Sequence, residues 1–290
     1  MATPKSLIIG MGIGQLYRQV LLELDHEVVT VDTNASADYQ SVNDALKEHK
    51  QFDTVHICTP NFTHESIARQ VAAYTKILFI EKPGLQFESD WKKLLADFPR
   101  TRILMVKNNM WRDNINELKK LYNQNITVSF QWLNQNRVPK PGSWFTNRQQ
   151  AFGGVSRDLL PHLLSLFAAF EPKYDSATWL YRNAWQRFEL EDLTDGDYGQ
   201  VNPDGIYNVD DNVELECTIK NHRCYFQSSW RTLKPNRVGI QFDNTFIELG
   251  LCPENAYKNM IKDCIINLDN DLFWLEQRDI DCWIHRMITL

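Results

Sequence analysis

No apolar run in this 290-residue chain approaches the ~20 residues that a membrane-spanning helix needs. The opening MATPKSLIIGMG also lacks the longer apolar stretch and small-residue cleavage site of a secretory leader. These absences predict a cytoplasmic protein with no membrane partner. Basic clusters are missing too: a formal net charge of −6, a pI near 5.7 and no run of Lys or Arg give a surface that repels phosphate backbones. That argues against nucleic acid as a partner. The six cysteines, at positions 58, 217, 224, 252, 264 and 282, form no CxxC pair and no Cys/His cluster at zinc spacing. They read as free thiols, with no metal site. Cys58 reads as a small buried hydrophobe inside an apolar strand. Cys217 and Cys224 fall on strands that read as neighbours and could face each other, without a disulfide in a reducing compartment. No internal repeat or low-complexity segment interrupts the chain.

What is present is enough for a full core: 43% hydrophobic and 23% charged residues over a length that accommodates two domains. In the first part, strands at Leu7–Ile9, Val28–Val31, Thr54–Cys58, Ile77–Ile80 and Ile103–Val106 alternate with helical patterns at Gly14–Leu24, Asn43–Lys50, Glu65–Tyr74 and Asp90–Phe98. This rhythm predicts an α/β N-terminal Rossmann domain over residues 1–122, a parallel sheet with helices on both faces. Residues 123–290 read as an α+β domain with a large, mostly antiparallel open sheet. Its strands are Thr127–Leu133, Thr178–Arg182, Val213–Ile219, Cys224–Trp230, Val238–Phe242 and Phe246–Leu249, with helices at Asp158–Phe170, Glu254–Ile266 and Asp271–Ile288. The acidic stretch Glu191–Asp211 reads as a long loop of the kind that often carries function.

The first chemical motif is Gly10-Met11-Gly12-Ile13-Gly14-Gln15, directly after a strand and opening a helix. Glycines there permit a sharp turn and a close approach of backbone to a pyrophosphate, which sits on the N–H groups and positive dipole end of the helix. The usual G-x-G-x-x-G would place its third glycine where this chain has Gln15, with Gly14 one place early, so a merely tight connection is the competing reading. Asp32 ends the second strand twenty-two residues after Gly10, where a carboxylate can accept from an adenosine ribose diol and would repel a 2′-phosphate. NAD is favoured over NADP; the alternative is an exposed strand-end acid starting a turn. Thr59-Pro60-Asn61-Phe62-Thr63-His64 follows the third strand and Glu81-Lys82-Pro83 the fourth, both at the carboxyl ends where such sheets bind ligands. Taken singly, each also suits a turn, a helix cap or a solvated lysine.

Together, CTPNFTH, EKP and GGVSRDLLPH, in that order behind a glycine turn, resemble the glucose-fructose oxidoreductase / inositol dehydrogenase (Gfo/Idh/MocA) family. DDNVELECTIKNHRCYFQSSW and RVGIQFDNTFIELGL are similar to the second-domain sheet of that family. The resemblance implies that Gly10, Gly12, Ile13, Gly14, Asp32, Thr59, Pro60, Asn61, His64, Glu81 and Lys82 bind the nicotinamide cofactor. It makes Lys82 the active-site lysine, with a cis Lys82–Pro83 peptide, and Asp158 and His162 the D-x-x-x-H pair behind Gly153-Gly154. Gln15 and a chain shortened around Asn34–Gln51, which has room for one short helix, depart from the pattern.

The residues support the carry-over. Pro161 forces its helix to begin near Asp158, and His162, four residues on, then lies one turn away on the same face among Leu159, Leu160, Leu163, Leu164, Leu166 and Phe167. A histidine so surrounded has either a polar task or a backbone carbonyl to satisfy it. The expected chemistry is hydride transfer between the cofactor and a secondary alcohol or ketone of a sugar, sugar derivative or nucleotide-sugar. His162 acts as general base, Lys82 stabilises the alkoxide and Asp158 orients the site. Trp144, Arg148, Arg157, Trp185 and Tyr207 are candidates for the substrate lining. Two other readings stand beside this one: a biliverdin-reductase-like reductase of an unsaturated substrate, and a catalytically silent NAD-binding regulator, which Gln15 favours. The family resemblance implies a homodimer or homotetramer formed through the open sheet face.

Overall fold

A computed structural model describes residues 3–195, 199–233, 235–250 and 255–289. The chain divides into two compact units, residues 1–108 with 255–286, and residues 109–254 with 287–290. The expected single cut after residue 122 is therefore displaced to 108/109, and the C-terminal helices fall in the first unit. Cys252, and Glu254 at the start of an expected helix, lie outside the described residues, as do residues 196–198 of the long loop.

In the first unit, strands β1 (Lys5–Ile9), β2 (Glu27–Val31), β3 (Phe52–Ile57), β4 (Thr75–Ile80) and β5 (Arg102–Met105) alternate with helices α1 (Gly14–Glu23), α2 (Val42–Glu48), α3 (His64–Val71) and α4 (Glu88–Asp97). The order β2-β1-β3-β4-β5 is parallel throughout. Continuous apolar runs make this arrangement: Leu7, Ile8, Val55, Ile57, Leu78, Phe79 and Ile80 are fully buried, as strands covered on both faces require. Tyr17, Val20 and Leu21 on α1 recur at helical spacing and form its buried stripe. The segment Asn34–Gln51 holds a single seven-residue helix, α2, whose N-cap Ser41 accepts from the Asp44 N–H.

The second unit opens with α5 (Ile115–Gln124), which the strand pattern did not announce, and β6 (Thr127–Leu133). Three helices follow: α6 (Arg148–Ala151), α7 (Val155–Asp158) and α8 (Leu160–Phe170). The remaining strands are β7 (Thr178–Trp185), β8 (Asn212–Ile219), β9 (His222–Ser229), β10 (Arg237–Phe242) and β11 (Thr245–Glu248), in the order β11-β10-β6-β9-β8-β7. Every pairing is antiparallel except β6 with β9. Alternation sets the buried face: Val128 and Phe130 of β6 and Cys224 and Phe226 of β9 are buried. Phe130 stacks on Phe226 at 4.9 Å, and Phe167 of α8 meets Phe226 edge-on at 5.4 Å. Cys217 and Cys224 stand opposite each other in the β8–β9 register and remain free thiols. Cys58 lies just past β3 and is half-buried, so it is not the strand-interior residue expected.

Helices α9 (Ala256–Ile266) and α10 (Asp271–Met287) end the chain. Asp281 of α10 is wholly buried in the first unit. It pairs with Lys107 at 2.6 Å and accepts the Met105 N–H at 3.0 Å, so the last helix is tied to the end of β5. His285 Nε2 accepts the Leu85 N–H at 3.1 Å.

Candidate active site

The glycine turn follows β1. Gly10 has φ +93°, and a Cβ there would lie 2.7 Å from the Cys58 carbonyl oxygen, so only glycine fits. Gly12 is exposed, with nothing within 4 Å of where its Cβ would be, which leaves backbone open to an incoming group. Gly14 is buried, and a Cβ on it would meet Ile8 Cγ2 at 2.9 Å. It therefore performs the helix-to-strand packing of the third glycine in a dinucleotide fingerprint. Gln15 is exposed. The early glycine thus keeps the turn tight, and Gln15 does not intrude on it. The N–H groups of Gly12, Ile13 and Gly14 have no acceptor among the described hydrogen bonds and stand at the positive end of the ten-residue α1. These features fit a pyrophosphate.

Asp32 lies immediately beyond β2. One carboxylate oxygen accepts the Met11 N–H at 2.6 Å and the other the Asn34 N–H at 2.8 Å. Backbone donors from Asn34 and Met11 hold its pKa below the ordinary carboxylate value, which keeps the group anionic beside the turn. A ribose diol can still donate to the remaining lone pairs, whereas a 2′-phosphate meets a fixed negative charge.

The loops after β3 and β4 meet at His64. This residue was expected to touch cofactor, but it is fully buried. Its Nδ1 is 2.8 Å from the Gly84 carbonyl oxygen and its Nε2 2.9 Å from that of Thr59. Burial pushes its pKa down. His64 is thus a strut between two loops. Thr59, Pro60 and Asn61 sit half-buried beyond the carboxyl end of β3, with the Thr59 hydroxyl 2.6 Å from that of Thr63. Glu81 is buried just past β4, where Tyr17 of α1 donates to it at 2.6 Å. Lys82 follows it, half-exposed, joined to Pro83 by a cis peptide.

In the second unit, the expected single helix Asp158–Phe170 is two helices. Asp158 ends α7, Leu159 intervenes with φ −102° and ψ −34°, and Pro161 occupies the first turn of α8. Asp210 creates α7 from fifty residues away. Its carboxylate accepts the N–H groups of Gly154 at 3.0 Å and Ser156 at 2.7 Å, while its carbonyl accepts Val155 N–H at 2.8 Å. That approach explains the glycine pair: a Cβ on Gly154 would overlap the Asp210 carbonyl oxygen.

Within this buried stretch Asp158 and His162 are both half-exposed, while Leu159, Leu160 and Pro161 between them are buried. Asp158 Oδ2 accepts the indole N–H of buried Trp230 at 2.8 Å. His162 stacks on Trp132 at 5.1 Å, and its Nδ1 lies 2.9 Å from Nδ2 of Asn109. Asn109 Oδ1 in turn accepts from Arg112 Nε at 2.7 Å. Of the proposed lining residues, Arg157 and Tyr207 are buried in packing; Arg157 donates to Thr289 and Tyr207 to Asp211. Trp144 and Trp185 are half-buried and Arg148 is exposed. Among the described residues no cluster of His, Cys, Asp and Glu could hold a metal ion, and no helix is long and apolar enough to cross a membrane.

A family model described as an oxidoreductase family with an NAD-binding Rossmann fold, GFO_IDH_MocA, matches residues 7–106. This Rossmann unit is a Gfo/Idh/MocA oxidoreductase-family domain. A curated relative, a putative UDP-kanosamine synthase oxidoreductase subunit of Amycolatopsis mediterranei (strain S699), is 28% identical over 124 residues. That stretch is 41% of this chain and about a third, 34%, of the relative's length. Solved structures share the fold across the chain. GenD2 from gentamicin A biosynthesis, in complex with NAD, superposes with TM-score 0.75 at 15% identity, covering 99% of this chain and 93% of that one. The WlbA (WbpB) dehydrogenase of Thermus thermophilus, in complex with NAD and alpha-ketoglutarate, gives 0.73 at 13% identity, covering 99% and 96%. Levoglucosan dehydrogenase with NADH and levoglucosan gives 0.71 at 14%, again covering 99% and 96%.

The family motifs locate the glycine turn, Asp32, Lys82, Asp158 and His162. They do not reveal Asn109, Arg112, Trp132, Trp230 or Asp210. The Asn108-Asn109 doublet, a few residues past the carboxyl end of β5, where such sheets place ligand-facing residues, is a sequence signal that could have pointed to Asn109.

Proposed function

We propose that this protein is an NAD-dependent oxidoreductase that transfers hydride between the cofactor and a secondary alcohol or ketone of a polyhydroxylated compound: a sugar, a sugar derivative or a nucleotide-sugar. The observation that carries the proposal is the pair Asp158 and His162, the half-exposed polar side chains of an otherwise buried stretch, each held by a buried neighbour. Oriented polar groups on a rigid element are what a reacting substrate needs. Relatives whose names involve UDP-kanosamine and levoglucosan support the substrate class.

When bound, NAD supplies the hydride chemistry. Gly12, Ile13 and Gly14 would hold its pyrophosphate and Asp32 its adenosine ribose, with NADP disfavoured. Thr59, Pro60 and Asn61 would border it, and Glu81 and His64 would fix the loops that carry Thr59 and Lys82. Lys82 stabilises charge on the substrate oxygen as the alkoxide develops, His162 hydrogen-bonds that oxygen, and Asp158 binds or orients a neighbouring hydroxyl. The silent-regulator reading rested on Gln15, and the packing role of Gly14 removes that support.

A panel of polyols, aldoses, uronates and nucleotide-sugars, followed by the absorbance of reduced nicotinamide, tests the proposal. With an active substrate found, His162→Ala and Lys82→Ala each lower turnover by at least ~10²-fold while NAD binding persists. Wild-type turnover by His162→Ala would make the histidine structural.

A further inference from the structure

The side chains around His162 constrain where its proton sits. A guanidinium Nε can only donate, so the atom of Asn109 that faces Arg112 Nε at 2.7 Å must be the amide oxygen. The Asn109 nitrogen, two donors with no acceptor, then faces His162 Nδ1 at 2.9 Å. Nδ1 is therefore the acceptor. A neutral imidazole has one N–H, and here it is on Nε2. Little in this relay can turn: Asn109 and Arg112 are 1% and 6% exposed, and Arg112 also donates to the Gly250 carbonyl at 2.8 Å. Trp132 holds the imidazole in a stacked plane.

We propose that Asn109 and Arg112 are positioning residues that lock His162 as the Nε2–H tautomer, so that His162 serves as a fixed hydrogen-bond donor to the substrate oxygen. The proposal rests on the functional reading above and revises the general-base role expected of this histidine. For Nε2 to take a proton the neutral ring would first have to carry its proton on Nδ1, and both that tautomer and the imidazolium it becomes point an Nδ1–H at the Asn109 NH2, donor against donor. Rotating the amide to accept that N–H sets its NH2 against Arg112 Nε–H. Either way one hydrogen bond of the relay is lost, so the neutral ring is the form these neighbours favour.

A neutral imidazole N–H polarises a carbonyl and equally stabilises the alkoxide, because the oxygen bears growing negative charge in both directions. The proton then moves elsewhere. Bound NAD would supply or take the hydride; the proton that the substrate oxygen gains in reduction and loses in oxidation would then be exchanged with a group other than His162, for which the functional reading above offers Lys82. His162 keeps its own proton throughout.

The test needs neither substrate nor cofactor. In protein labelled with 15N-histidine, long-range proton–nitrogen correlation spectra distinguish a protonated from an unprotonated ring nitrogen, and His162→Gln identifies the His162 signals by their loss. With the ring neutral, the wild type is expected to show Nε2 protonated and Nδ1 unprotonated. Asn109→Asp, which puts an acceptor opposite Nδ1, is expected to move the proton there. Protonated Nδ1 in the wild type overturns the proposal, as does an unchanged pattern in Asn109→Asp. Should the wild-type spectrum be as expected while no polyhydroxylated compound is turned over, the functional reading fails and the tautomer assignment stands.

Discussion

His56 illustrates how a single buried side chain sets a response of the protein to pH. It stacks on Phe79 at 4.7 Å and ends a buried polar chain running from His26 through Ser6 and Thr54, with Thr54 Oγ1 at 2.9 Å from its Nε2. Its Nδ1 has no partner. Burial lowers its pKa to about 3, whereas the unfolded chain has a histidine near the ordinary value of about 6.5. Between those values the unfolded state binds the extra proton, so the stabilising contribution is complete above about pH 6.5 and is lost as pH falls toward 3, at up to ~1.4 kcal/mol per pH unit. His26, also lowered by burial, acts in the same direction. Urea midpoints measured across this range should fall less steeply with acid in His56→Phe, which keeps the stack and removes the titration. Equal slopes in variant and wild type would show that His56 is protonated in the folded protein.

At the scale of elements, α7 is the instructive case, since four residues cannot sustain a helix alone. Its start depends on the Asp210 carboxylate, 4% exposed, which satisfies two backbone donors and lies near the buried Arg157 guanidinium. Asp210→Ala leaves those donors and that cation without their partner, and should cost roughly 3 kcal/mol of stability. It should also depress turnover by displacing Asp158 and His162. A change in the urea midpoint equivalent to less than ~0.5 kcal/mol, within the range of an ordinary surface substitution, would remove Asp210 from that role. The same helix explains what the sequence made legible. Strands such as β6, alternating from Thr127 to Leu133, announce themselves locally, whereas Lys82, Asp158 and His162 are singled out by motif spacing and their roles belong to the proposal. The break after Asp158 was invisible because its cause, Asp210, is distant in the chain. His64 was legible as part of a motif, but its role as a strut depends on the Gly84 carbonyl in the loop after β4 as well as on that of Thr59 in its own segment. For α9 and α10, amphipathic pattern gives a helix without saying which sheet it covers; the Lys107–Asp281 pair decides that.

On the scale of the whole molecule, the sheet of the second unit bears on the state of assembly. Its inner face is filled by Tyr122 of α5 and Phe167 and Phe170 of α8. The opposite face presents Ser129, Gln131, Tyr225, Gln227, Glu214 and Glu216, all half-exposed. Some of these are tied together across strands, Gln227 to Glu214 at 3.3 Å among them. Six strands of about seven residues, at ~4.8 Å between strands and ~3.3 Å per residue, span roughly 29 by 23 Å. Such a face approaches the ~800 Å² per partner of a stable interface. We therefore propose self-association through this face, in which its polar groups pair with those of a second copy or with bridging water. Light scattering at micromolar concentration should give a mass above the 34.0 kDa of one chain. Gln227→Trp, at the centre of the face, should shift that mass toward the monomer by overfilling a two-sided contact while leaving NAD binding unchanged. A wild-type monomer would refute self-association through this face. An oligomer unaffected by Gln227→Trp would place the interface elsewhere, with the edge strand β7 and its exposed Leu180 and Tyr181 as the next surface to change.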